Sequence, residues 1–545
     1  MKPKMKLLIQ FWSLKNSSFL YFAFAAIVIS GCSSTKPQYQ AVLASSTSAV
    51  NESEVWEPSV GNDLPILREN RAQQIFRDYG VNPTVSTKTE SISTFAMDVD
   101  TASYKIAKES IENHQMPPKA AIRVEEFVNN FDYAYQTGED IFSIGAEVVP
   151  SPFRPGFHVL HVGIQAQDIP SSERLPAHLV LVADVSGSMA FENKMALQKE
   201  AFTTLVSQLK PDDTVALVAY QDNAKVILKP TSAKHRSKIY RAIKKLQAGG
   251  GTNAVEGLIE GYQLAEEIAY PGYINRVILT SDGMANIGSV EPKEMVQKIQ
   301  QYREKNIFLT TVGVGRSMYN DYLLEQLANH GNGNYLYFAN TKDIQAAFVD
   351  GLTTQLQAVA KDAKVQIQFD PNVVTHYRQL GYENRALQTE DFLDANKDGG
   401  ELGVNHQITV LYEIKLSDNS SQADLATLGL SYKRPQGSAV LEITKPIPHS
   451  VVRKQSEKAS PDTGLAIASA AFAEKLRQSY WSRLYNYGDI THELNNLPLP
   501  TIKSKQVTEL MNLVRRVNQL DSRNDPYEER NPISTISYDH VPLLR

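Results

Sequence analysis

The chain has 545 residues, 55 basic and 60 acidic side chains, a net charge of -5 and one cysteine. That length holds about three or four domains. The near balance of charge excludes a nucleic-acid surface, and a single cysteine excludes an internal disulfide.

Residues 1–32 read as an address rather than as fold. Lys2, Lys4 and Lys6 precede an apolar stretch over residues 19–29, too short to span a bilayer comfortably as a helix. It ends Ile29-Ser30-Gly31-Cys32, which resembles the lipobox of bacterial lipoproteins. The resemblance implies that Cys32 becomes the first mature residue and carries the lipid. Ser33 follows in place of Asp, which by the same resemblance implies a cell-envelope protein anchored in the outer membrane and facing the periplasm. A chain otherwise free of cysteine suits that oxidising compartment. An uncleaved membrane anchor is the alternative.

Residues 33–92 read as a flexible tether and linker, rich in Ser, Thr and Ala at first, with helical spacing over 64–79. Residues 93–140 read as a helical domain with helices over 104–114 and 121–130. Its Asp98, Asp100 and Ser103 superficially echo the metal motif described below but suit ordinary helix capping. Residues 141–171 carry two alternating strands, 144–149 and 158–165, that need partners. Suitable partners occur only at 364–369, 408–416, 426–433 and 440–447. The expectation is therefore a β-sandwich built from 141–171 and 358–450, with 172–357 inserted; an independent C-terminal β-domain is the alternative.

The insert alternates strands and helices from residue 179 to a last helix over 342–357. This predicts an α/β, doubly wound, Rossmann-like domain with a mainly parallel sheet and one antiparallel edge, strands 214–219 and 225–230. Residues 451–545 read as a helical region, with helices over 463–484 and 505–520 that pack on the sandwich.

Within the insert, the apolar run 179–183 empties into Asp184, Ser186 and Ser188. Gly249-Gly250-Gly251-Thr252-Asn253 offers a hydroxyl on a Gly-rich loop before a helix, and the strand 276–281 ends at Asp282. Loops at the carboxyl ends of parallel strands share one face, so these groups can converge. An oxygen-only set suits magnesium, calcium or manganese better than zinc or copper. Asp184-x-Ser186-x-Ser188, Thr252 and Asp282 together resemble the metal-ion-dependent adhesion site of von Willebrand factor type A domains. The resemblance implies that the two Ser and the Thr hold the ion through their hydroxyls, that Asp184 and Asp282 act largely through water, and that a partner's carboxylate fills the vacant position. It favours magnesium, with manganese or calcium as alternatives. Residues 93–135, 377–382 and 405–416 also resemble the domains flanking the type A domain in a set of bacterial lipoproteins.

Other motifs fail on inspection. Asp394-Ala-Asn396-Lys-Asp398-Gly399 begins like a calcium loop, but Asn405 stands where the bidentate Glu belongs, which leaves a hairpin turn. His492 and Glu493 lack the second histidine of a zinc protease, since Asn496 takes its place. With no Walker loop and no Gly-x-Ser-x-Gly elbow, no enzyme is expected. The reading is a lipid-anchored envelope protein that binds a protein or peptide with an exposed Asp or Glu through a divalent ion. The alternatives are a metal-dependent hydrolase and a scaffold whose metal is only structural.

Overall fold

The computed structural model describes residues 76–529 apart from 98, 139, 284–291, 316–320, 419–422 and 455–457. The predicted leader with Cys32, the tether up to residue 75 and Asp98 of the capping echo lie outside the described residues.

Two strands with apolar runs at their centres, residues 179–183 within Ala177–Asp184 and 277–279 within Ile274–Ser281, are buried nearly end to end. Strands this apolar need cover on both faces, which a parallel sheet wrapped by helices supplies. They lie at the centre of a six-stranded sheet whose order is Tyr335–Phe338, Ile307–Val314, Ile274–Ser281, Ala177–Asp184, Thr214–Tyr220, Ala224–Ser232. All neighbours are parallel except the last pair, the antiparallel edge expected from sequence. Lys194–Gln208 and Arg236–Lys244 cover one face. Ala254–Ile268, Pro292–Glu304 and Asp321–His330 cover the other. A doubly wound α/β domain results.

The helix Ala254–Ile268 comes unusually close to the sheet because two of its residues have no side chain. A Cβ on Gly261 would lie 2.4 Å from a methyl of Val182, and one on Gly257 would lie 2.6 Å from the ring of Tyr220. The close approach draws the Gly-rich loop at the start of that helix over the ends of the central strands.

Strands from both flanks of this domain pair with one another. His158–Ala166 runs antiparallel to Gln407–Leu416, with Val162 opposite Val410, and Ile92–Ala96 pairs with Ala358–Phe369, with Phe95 opposite Val365. Two sheets result, Val85–Ser86, Val374–Leu380, Gln407–Leu416, His158–Ala166, Phe142–Pro150 and Ala386–Leu387, Ile92–Ala96, Ala358–Phe369, Ala426–Lys433, Val440–Ile447. One apolar core fills the space between them, so they form a sandwich that encloses the α/β domain in sequence. The helices Pro461–Leu476, Tyr487–Asn495 and Lys505–Leu520 pack on the outer face of the first sheet through Val149, Val159, Leu380 and Leu411. Arg276 of the α/β sheet donates to Glu401 of Gly400–Gly403, a fully buried ion pair that ties the inserted domain to the sandwich. Among the described residues no helix is long and apolar enough to cross a membrane.

Several expectations need correction. Residues 93–140 do not make a helical domain of their own: Ile92–Ala96 is a sandwich strand. The helix Ala102–Glu112 divides its side chains between two cores, Ala102 and Ile106 on the α/β domain and Tyr104, Ala107 and Ile111 on the C-terminal helices. The second predicted helix shrinks to Val124–Val128. The linker contains the short strand Val85–Ser86, and residues 76–79 are not helical. The last predicted helix is broken into Thr341–Gln345, a π-helical turn Ala346–Asp350 and Leu352–Leu356. Gly351 makes the break, its N–H reaching back five residues to the Ala346 carbonyl at 3.0 Å. The calcium-like loop is a turn, as expected, in which Asp394 accepts from the Asn396 N–H at 2.8 Å and Asp398 pairs with Arg303 at 2.7 Å.

Candidate metal centre

Asp184 is the last residue of its strand and is fully buried. One carboxylate oxygen accepts from the Ser186 N–H at 2.9 Å, which turns the chain and starts the short helical turn Gly187–Ala190. The other oxygen accepts from the Tyr220 hydroxyl at 3.1 Å and the Ser281 hydroxyl at 2.9 Å. Two neighbouring strands thus fix the carboxylate from either side. The same turn brings the Ser186 and Ser188 hydroxyls to 3.0 Å from each other.

The Gly-rich loop is sewn to this turn by main-chain bonds. The Gly187 N–H donates to the Gly250 carbonyl at 3.0 Å and the Gly249 N–H to the Val185 carbonyl at 2.8 Å. Gly250 has φ +76, and a side chain there would run into Asp222, whose carboxylate accepts from the Gly251 N–H at 2.9 Å. Thr252, two residues on in the same loop, is part-exposed, and Asn253 caps the helix that follows by accepting from the Glu256 N–H at 3.2 Å.

Asp282, directly after Ile274–Ser281, is also fully buried. The Lys194 ammonium lies 3.0 Å from its Oδ2, and neither side chain has any solvent exposure. From the same helix, Gln198 donates to the Asp184 carbonyl at 3.0 Å and accepts from the Thr280 hydroxyl at 2.7 Å. Asp184, Ser186 and Ser188 are therefore joined by hydrogen bonds, Asp282 stands next to them through its neighbour Ser281, and Thr252 comes in on the attached loop. Lys194 and Gln198 escaped the sequence reading. Their signal was present: they fall on the same helical stripe as Ala201, Phe202 and Leu205, the face turned to the core.

Burial pushes Asp184 up to about 6, and Asp282 nearby adds to the rise against the hydrogen bonds from Ser186 and Ser281. Burial, helped by Asp184, holds the Tyr220 hydroxyl well above its usual range, so it stays a proton donor. Among the described residues no group of three or more His, Cys, Asp or Glu side chains is placed to hold a metal. A cation here would have to be held by hydroxyls together with carboxylates. Among the described residues the donors present are hard oxygens, the Ser186 and Ser188 hydroxyls face one another, and the buried Asp184 carboxylate accepts from neutral groups only. They fit a hard divalent ion.

Comparison with known proteins locates this centre in a family. Residues 178–350 match the model described as von Willebrand factor type A domain, residues 70–161 the model von Willebrand factor, and residues 354–520 the model "Uncharacterized protein YfbK, C-terminal". YfbK of Escherichia coli (strain K12) is 33% identical over 431 residues, 74% of either chain. Inter-alpha-trypsin inhibitor heavy chain H2 of Mus musculus is 29% identical over 167 residues, 29% of this chain and 17% of that one. Among solved structures, a von Willebrand factor type A protein from Catenulispora acidiphila is similar over 71% of this chain and 91% of its own, at 17% identity and a TM-score of 0.43. With a relative this similar over most of both lengths, and with models matching the insert and both flanks, the chain belongs to the YfbK family of proteins built around a von Willebrand factor type A domain.

Proposed function

We propose that this protein is held in the cell envelope by a lipid on Cys32. Its type A domain captures a protein or peptide through a divalent cation, magnesium first, and an Asp or Glu of the partner completes the coordination. The observation that carries the reading is the buried Asp184 carboxylate, which among the described residues accepts from neutral donors only, beside the facing hydroxyls of Ser186 and Ser188. Ser186, Ser188 and Thr252 would hold the ion, with Asp184 and Asp282 behind them. The ion supplies an electrophilic point to which a carboxylate can bind. Binding is favoured over hydrolysis because Ser186 and Ser188 bond to each other and not to an imidazole, and because the Lys194 ammonium is engaged with Asp282. The relatives named as heavy chains of a trypsin inhibitor support a role in protein contact.

Titration calorimetry with Mg2+ and Mn2+ tests the centre. The native chain is expected to bind one ion, and the double variant Ser186→Ala/Ser188→Ala is expected to bind none while keeping its circular dichroism. Equal binding by both overturns the assignment. Steady turnover of an ester or peptide that depends on the ion would replace it with the hydrolase reading. The anchor is tested separately by Cys32→Ala, which should move the protein from the membrane fraction to the soluble fraction.

A further inference from the structure

The metal-centre reading leaves Lys194 unexplained. An ammonium on a carboxylate meant for a metal looks like an obstruction, yet the surroundings are shaped to put it there. Glu192 and Asn193 both have left-handed backbones, φ 53 and 59, and they turn the chain so that the first residue of the helix Lys194–Gln208 points inward. Gly315, with φ +109, follows the strand Ile307–Val314 and leaves the slot that the lysine stem fills. A Cβ there would lie 2.6 Å from Lys194 Cε and 2.9 Å from its Cγ. Asp282 closes the far end at 3.0 Å.

Resting on the reading of the centre as a divalent-ion site, we infer that Lys194 is a built-in counter-cation that makes ion binding conditional on an acidic ligand. Among the described residues, Asp184 and Asp282 contribute two negative charges to the buried centre and Lys194 one positive. The set is therefore one charge short of neutral, and a divalent ion carries it to one positive charge. Asp222 does not alter the count, because it is exposed to solvent and occupied by the Gly251 N–H. Excess positive charge among buried groups is poorly screened. A carboxylate from outside removes it, so the ion and the acid each strengthen the other's binding, as linkage requires. Without Lys194 the ion alone would neutralise the centre, and the acid would be optional. Lys194 is thus a positioning residue that acts through Asp282.

The test is Mn2+ titration of the full chain with and without saturating acetate as the acidic probe. In the native protein acetate is expected to tighten Mn2+ binding by about five-fold or more, the range of ordinary coupling between sites. In Lys194→Met the ion alone should bind roughly ten-fold tighter, a change of about 1.4 kcal/mol, and acetate should change it by less than about two-fold. Because Lys194→Met leaves Asp282 buried without its ammonium, the second variant is Lys194→Met/Asp282→Asn, which removes both charges together. Its net charge equals that of the native centre, so its acetate coupling should be native even though its ion affinity is lower. Coupling that survives in Lys194→Met, ion affinity there that is unchanged or weaker, or coupling lost in the double variant overturns the inference. If the native chain and Ser186→Ala/Ser188→Ala both ignore Mn2+, the centre itself is wrong and the inference falls with it. If only the hydroxyl variant loses the ion and Lys194→Met behaves as native, the centre stands and the role of Lys194 does not.

Discussion

Glu474 in the helical flank and Asp184 in the inserted domain are both deeply buried carboxylates, and their surroundings push them in opposite directions. Burial works against charge on Glu474, but Arg477 and Arg378 outweigh it and hold the group down to about 2. Arg378 donates to Glu474 at 3.1 Å and to Glu413 at 2.8 Å, Arg154 reaches Glu413 at 3.1 Å, and Arg477 joins Glu474 at 2.9 Å to Glu383 at 3.0 Å. These pairs tie a sheet strand, its neighbour and a helix together with charge matched to charge. Asp184 receives hydroxyls and one N–H and is pushed up to about 6. Where the fold uses a buried carboxylate as a fastener it supplies guanidinium; at the candidate centre it supplies Asp184 with hydroxyls and a main-chain N–H instead.

The largest expected effect breaks the fastened side. Arg378→Ala would leave Glu413 and Glu474 short of a buried partner, and breaking such pairs costs about 3–5 kcal/mol. Urea unfolding of the full chain reads it directly. A loss under about 1 kcal/mol, the size of an exposed pair, would mean the lattice is not holding the flank.

Acid should separate the two kinds of buried group next. Burial lowers His161 to about 4, partly opposed by Glu147, and burial lowers His406 to about 4 with Arg276 adding to the effect. His161 lies between the Tyr135 hydroxyl at 2.7 Å and the Thr463 hydroxyl at 2.9 Å, and His406 accepts from the Gly403 N–H at 2.9 Å. An imidazole held below its unfolded value of 6.5 favours folding above pH 6.5, and that contribution disappears as pH falls toward 4. Each histidine accounts for roughly 3 kcal/mol at most. Glu474, depressed from 4.5 to about 2, gives up its contribution between those values, most of it below the histidine window. Stability measured at pH 7, 5.5 and 4 should therefore fall before the Glu474 lattice is protonated, and His406→Gln should flatten the drop. A flat profile down to pH 4 would show that neither imidazole is buried neutral.

What could be read from the chain follows the same division. Asp184, Ser186 and Ser188 stood out because they follow an apolar run, Thr252 because it sits on a Gly-rich loop before a helix and Asp282 because it ends a strand, and the flanking strands 144–149 and 158–165 showed their alternation. Ile92–Ala96 stayed hidden because it is five residues long and its partner, Ala358–Phe369, lies across the whole inserted domain. Val374–Leu380 carries His376, Arg378 and Gln379 and resembles a loop until Glu413 and Glu474 are seen to neutralise the arginine. Lys194 was overlooked for a similar reason: although it falls on the core-facing stripe of its helix, a lysine at a helix start looks solvent-facing until Gly315 and Asp282 are seen to make room for it inside.

A smaller change sharpens the open side. Asp184→Asn keeps an acceptor for the Ser186 N–H and removes a charge that is costly to bury; its new N–H2 group donates to the Ser281 hydroxyl and the Tyr220 hydroxyl turns to the Thr280 carbonyl 3.3 Å away, so the metal-free protein should gain about 1 kcal/mol. Its melting temperature should then no longer respond to Mg2+. If the variant is instead destabilised, Asp184 belongs with Glu474 as a fastener, and the contrast collapses.

The smallest effect on stability concerns the rim of the centre. Phe191 lies three residues beyond Ser188, its N–H donating to the Ser188 carbonyl at 3.3 Å, and its side chain is 63% exposed. A ring that open contributes little to the fold, so Phe191→Ala should stay within about 0.5 kcal/mol of native. Covering it on contact is another matter, since fully burying a phenylalanine is worth about 1.5–3 kcal/mol. Short peptides in which a Glu is flanked by Leu should therefore lose about five- to ten-fold in Mg2+-dependent affinity on Phe191→Ala, while acetate, which cannot reach the ring, should bind unchanged. Equal losses for peptide and acetate would place Phe191 in the support of the ion and not in the grip on the partner. A melting temperature lowered by several degrees would make the ring part of the turn's own packing. Only a loss confined to the larger ligand extends the binding surface from the buried charges to this aromatic edge.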